Sequence, residues 1–106
     1  MQKTRDITGT LDLDGEVYEW ALRRQPRPTH GRAWEGMAVT VRLADFKREA
    51  IIQFPPPLTP SGRPDTEKQL VDLDVLRTAI GAILDAGWNP TSRGKAVSFD
   101  VDENGR

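Results

Sequence analysis

Cysteine is absent from the chain, and with it disulfides, thiolate metal sites and a cysteine nucleophile. Histidine occurs once, at His30, so a metal site would have to be built almost wholly from oxygen ligands. No apolar run approaches the roughly 18 residues that a membrane helix requires. No apolar stretch follows Met1–Asp6, as a secretory signal would need. Charge of one sign is lacking too: 15 Lys and Arg stand against 16 Asp and Glu, and a net charge of −1 exerts no overall pull on nucleic acid or anionic lipid. These absences lead us to expect a cytoplasmic protein without membrane contact, cofactor or metal.

What is present fits one globular domain spanning residues 1–106. That length supports a single hydrophobic core, and 29% charged residues give a well-solvated surface. The clearest local signal is Asp14-Gly15, a pair suited to a type I′ hairpin turn because both positions need positive φ. A turn there sets Leu13 opposite Glu16, Leu11 opposite Tyr18, Gly9 opposite Trp20 and Ile7 opposite Leu22. The large apolar side chains of those pairs share one face, and the bare backbone of Gly9 leaves room for the Trp20 indole. The other face carries Thr8, Thr10, Asp12, Val17, Glu19 and Ala21.

Arg23 to Gly36, punctuated by Pro26, Pro28 and Gly31, reads as a loop. Met37, Val39, Val41 and Leu43 then alternate with polar or small residues as a third strand. Ala50 to Phe54 forms a fourth, stopped by Pro55-Pro56-Pro57, which cannot donate to a ladder. After a second loop, Leu58 to Thr66, the period changes. Leu73, Leu76, Ile80, Ile83 and Leu84 make one helical stripe, with Asp72 as N-cap and Gly87 just past the C-terminus. Val97, Phe99 and Val101 alternate in a last strand, and the polar tail Asp102–Arg106 is expected to fray. The fold expected is α+β: an antiparallel sheet of about five strands, in the order β-β-β-β-α-β, with one face packed by a single helix.

Candidate functional residues are few. His30 lies in a loop, where a solvated histidine competes with a general base or ligand. Ser61, Ser92 and Ser98 exist, but none sits in a Gly-x-Ser-x-Gly setting. Between Trp20 and Glu49 there are seven Lys and Arg against three acids. Arg23, Arg24, Arg27 and Arg32 with Trp34 combine guanidinium and aromatic chemistry, which grips phosphates and stacks bases. Arg93-Gly94-Lys95 adds two more cations without phosphate-loop spacing.

The segment Gly87-Trp88-Asn89-Pro90-Thr91-Ser92-Arg93-Gly94-Lys95 resembles a G-W-x-P-x-x-R-G-K signature near the C-terminus of short bacterial proteins of the orphan or mobile-cassette kind. The resemblance covers nine residues and implies a bacterial source but no particular activity. A helix cap and a turn account for most of the segment, leaving Arg93 and Lys95 without a structural task.

Three readings compete. The first, which the sequence favours, is a non-enzymatic protein-interaction module. It would self-associate, or bind another protein, through the sheet's free face, where Val17, Ala21, Ala38 and Ile51 make an apolar patch. The second is an anion- or nucleic-acid-binding protein using the loop 23–36. The third is a small enzyme with His30 as its base.

Overall fold

The computed structural model describes residues 3–4, 7–24, 27–28, 34–55, 71–102 and 105–106. Its strands are β1 (Lys3–Thr4), β2 (Thr8–Leu13), β3 (Glu16–Arg24), β4 (Arg27–Pro28), β5 (Trp34–Glu35), β6 (Ala38–Leu43), β7 (Glu49–Gln53), β8 (Val71–Asp72) and β9 (Val97–Asp100). One helix, α1 (Leu73–Asp85), lies between β8 and β9. The principal sheet has the order β2-β3-β6-β7-β9, while β1 pairs with β8 and β4 with β5 in two small ladders.

The hairpin forms in the register that its turn dictates. Asp14 and Gly15 have φ of 52° and 83°, as a type I′ turn requires. Leu13 stands opposite Glu16, Leu11 opposite Tyr18 and Gly9 opposite Trp20, and the Leu22 amide donates to the Ile7 carbonyl (2.6 Å). Tyr18 and Trp20 are both buried.

Cross-strand pairing carries one face through the sheet. Trp20 is opposite Val41 and Val41 opposite Ala50; Leu22 is opposite Val39 and Val39 opposite Ile52. The helix covers this face with Leu76, Ala79, Ile80 and Ile83. The largest fully buried side chains are Ile52, Leu76, Ile80, Ile83, Val39 and Val41. They come from β6, β7 and the helix, each burial contributing roughly 1.5–3 kcal/mol.

Both helix ends match their sequence signals. The Asp72 carboxylate accepts from the amides of Asp74 and Val75 (3.0 and 3.3 Å). At the other end the Trp88 amide donates to Ile83 O (3.0 Å) and the Gly87 amide to Leu84 O (3.2 Å). That is a Schellman closure, with Gly87 at φ 113°. It turns Trp88 under the core, 6.2 Å from the Tyr18 ring.

The α+β fold of one five-stranded sheet and one helix forms as expected, with one refinement of strand direction and three corrections. The sheet is not wholly antiparallel, since β9 runs parallel to β7; the helix carries the chain back across the sheet, so the next strand enters in the same direction. Arg23–Gly36 is not loop throughout. β3 continues to Arg24, and Arg27 and Pro28 pair with Glu35 and Trp34. A register shift between Leu22 and Arg24 lets the strand continue by placing Arg23 as an extra residue.

Ala38 does not add to an exposed patch, because it is fully buried. On β3 and β7 its neighbours are Arg24 and Gln53. The Arg24 guanidinium bridges to Gln53 Oε1 (2.8 Å), over the alanine that lies between. The tail is not frayed at its described residues. Gly105 is buried and its amide donates to Asp102 O (3.0 Å), while Asp102 Oδ1 accepts from the Arg106 amide (2.9 Å). Gly105, at φ 84°, approaches the helix so closely that a Cβ would stand 2.5 Å from Val75 O.

Candidate binding surface

Alternation that points one set of side chains at the helix points the other set away from it. The open face carries Thr8, Thr10 and Asp12 from β2, Val17, Glu19 and Ala21 from β3, Thr40 and Arg42 from β6, Glu49 and Ile51 from β7, and Ser98 and Asp100 from β9. A shallow hollow of about 490 Å³ lies here, lined by Thr8, Thr10, Glu19, Ala21, Thr40, Arg42 and Glu49 together with the backbone-side residues Gly9, Trp20 and Val41. Short side chains make it concave, and charges lie across it.

Glu19, Arg42 and Glu49 form one cross-strand row. Arg42 Nη2 donates to Glu19 Oε2 (2.8 Å), with both side chains about half exposed. Glu49 has no ion pair among the described residues. The Thr40 hydroxyl donates to Ala21 O (3.3 Å), which fixes its rotamer at the floor. Val17 is 40% exposed at the far end of the face. The face is therefore polar in the middle, and its apolar residues are separated.

A second cluster lies at the corner where the β6–β7 connection meets the segment before β9. Arg48 Nη1 donates to Arg93 O (2.8 Å), and its guanidinium lies against Gly94. Asn89 builds the turn beneath: its side-chain oxygen accepts from the Thr91 amide and hydroxyl (3.1 and 2.8 Å). Ser92 Oγ donates to Asn89 O (2.7 Å). Arg93 and Lys95 are exposed on this turn.

The residues singled out from the sequence thus fall in several places. Arg23 is exposed at the extra position of β3. Arg24 is turned inward, its Nε and Nη2 donating to Gly36 O (3.2 and 3.0 Å) as well as to Gln53. Arg27 and Trp34 are on the β4–β5 ladder. His30 and Arg32 lie outside the described residues. Arg48 reaches the Arg93 carbonyl, forty-five positions away in sequence, and Lys95 is exposed two residues further on. Sequence reasoning missed Arg48 as a member of that group, because nothing local marks so distant a contact. It also missed Glu19, Arg42 and Glu49 as a row, which the strand register alone assembles.

Tyr18 is buried on the helix side of β3. Burial pushes its phenol up, and the Glu16 and Asp14 carboxylates add to the effect. That ring belongs to the core, not to the open face.

Fold and surface together define an α+β sandwich of one sheet and one helix with an open, charge-lined sheet face. No protein-family model, curated protein or solved structure matches the chain. Among the described residues no helix is long and apolar enough to cross a membrane.

Proposed function

We propose that the chain is a non-enzymatic protein-interaction module that engages another protein through the open face of its sheet. The observation that carries this reading is the hollow of about 490 Å³ opposite the helix, where short Thr and Ala side chains surround the Glu19–Arg42–Glu49 row. On this face Asp12, Glu19, Glu49 and Asp100 outnumber Arg24 and Arg42, and Arg24 is engaged with Gly36 and Gln53. The surplus carboxylates favour a partner that offers lysine or arginine side chains. Five strands about 4.8 Å apart and about 20 Å long present roughly 400 Å² in projection. That is about half of what each side of a standard complex buries, so binding is weak and exchanging. A cysteine-free chain suits a reducing compartment, and we place the protein in the cytoplasm.

The test uses a lysine-rich peptide as probe and amide chemical shifts as readout. Shifts confined to β2, β3, β6 and β7, lost in Glu49→Lys, support the reading. Shifts on the helix side, or none at millimolar peptide, overturn it.

A second reading, anion or nucleic-acid binding, draws support from the corner where the Arg48 guanidinium lies against Arg93 and Gly94. It requires single-stranded oligonucleotide binding that weakens with salt and falls in Arg93→Ala/Lys95→Ala. Binding indifferent to both would remove it. The resemblance of residues 87–95 to short bacterial proteins brings no activity to either reading.

A further inference from the structure

β2 forms one edge of the principal sheet. In a two-residue hairpin the pairs that exchange hydrogen bonds alternate outward from the turn. Here they are Leu13 with Glu16, Leu11 with Tyr18 and Gly9 with Trp20. The Leu22 amide on Ile7 O continues the same phase. The main-chain groups of Thr8, Thr10 and Asp12 therefore point away from the sheet. Asp12 O accepts Arg77 Nε from the helix (3.2 Å). No hydrogen bond reaches the outward main-chain groups of Thr8 and Thr10 from any described residue, and both residues are exposed. Beside them Ile7 is 60% exposed, the most exposed of the large hydrophobic residues described.

We infer that two copies of this chain pair antiparallel through their β2 edges, across a two-fold axis at Thr10. The register follows from the phase of the free groups. Thr10 faces its own copy, Thr8 faces Asp12, Gly9 faces Leu11 and Ile7 faces Leu13. On the open face this sets hydroxyl against hydroxyl and hydroxyl against carboxylate. On the helix side it sets apolar against apolar, and Ile7 gains the cover it lacks. No pair opposes like charges, as a self-matching contact between identical strands needs.

Neighbouring registers are poorer. An axis at Leu11 puts Ile7 beside Gly15 and leaves it bare. An axis at Gly9 gives Asp12 and Leu13 no partner among the described residues. Arg77 is the guard on this edge: its guanidinium holds the Asp12 carbonyl, which the second copy's Thr8 amide must take over. An edge with free amides is commonly blunted by a charged residue in this way. The result is a ten-stranded sheet whose two open faces lie side by side. The inference rests on reading the chain as an interaction module, but it uses the edge and not the face.

Sedimentation velocity of the full chain, from micromolar to millimolar, tests it with four variants. Thr10→Pro removes an outward amide and leaves the β2–β3 ladder intact. It weakens dimerisation by about tenfold or more, with circular dichroism unchanged. Ile7→Lys, at a position already exposed, does the same and serves if the proline variant fails to fold. Arg77→Ala tightens the dimer by freeing the Asp12 carbonyl. Glu49→Lys, on the open face but three strands away from β2, leaves the dimer as it was while abolishing the lysine-peptide shifts, which separates the two contacts. A wild-type chain that stays monomeric at millimolar concentration overturns the inference. So does a dimer that Thr10→Pro and Ile7→Lys leave intact, or one that Glu49→Lys alone dissolves.

Discussion

A methyl group on Gly9 would stand 2.9 Å from both Cζ2 and Nε1 of Trp20. The indole is 4% exposed and packed into the core, so Gly9→Ala is expected to cost about 1–3 kcal/mol by overpacking. Urea denaturation measures it, and Trp20→Phe in the same background should recover part of the loss. Tyr18 supplies a second test at this scale. Its phenol is held above its ordinary value by burial, then by Glu16 and Asp14. The folded state thus binds the phenolic proton more tightly than the unfolded chain does. The stability that this adds is fully present below the unfolded value of about 10 and is lost as the pH climbs through the folded one. Tyr18→Phe should flatten that alkaline limb in thermal melts taken at rising pH.

The helix and the hairpin were legible as elements because each is specified by neighbours in sequence. Asp14-Gly15 needs only its own two φ angles, and the Asp72 cap needs only the amides of Asp74 and Val75. Replacing Asp72 by alanine should cost about 1 kcal/mol, read from the denaturation midpoint, while Asp72→Asn or Asp72→Ser should keep most of it. What was not legible depends on distant partners. The extra residue at Arg23 exists because Arg24 finds Gly36 O and Gln53 across the sheet. A proline-rich, arginine-rich stretch reads locally as loop, and no local signal announces those acceptors. The tail was misread for the same reason. A polar run ending in Gly-Arg looks free until the helix backbone at Val75 is placed against Gly105.

At the scale of the whole molecule, charge that is nearly balanced in the sequence is grouped by sign among the described residues. Carboxylates predominate on the open face, while the Arg48 guanidinium lies against Arg93 and Gly94 at a corner. Neither grouping was legible, since each is assembled by strand register and not by adjacency. The free face itself was legible from alternation, but Ala38 was wrongly counted in its apolar patch because the Arg24 cover depends on pairing between β3, β6 and β7.

The parallel seam between β7 and β9 has a kinetic consequence. Ala50 and Val97 are partners forty-seven positions apart in sequence, whereas the β2–β3 ladder closes across two turn residues. Loop-closure entropy penalises the distant pairing. β2 and β3 should therefore zip early and β9 should dock last, after the helix has formed. Shortening Phe99 to leucine is then expected to speed unfolding and leave refolding nearly unchanged. Shortening Leu11 to alanine should slow refolding. Stopped-flow chevrons on the two variants decide it, and equal effects on both limbs would mean that the sheet assembles in one step.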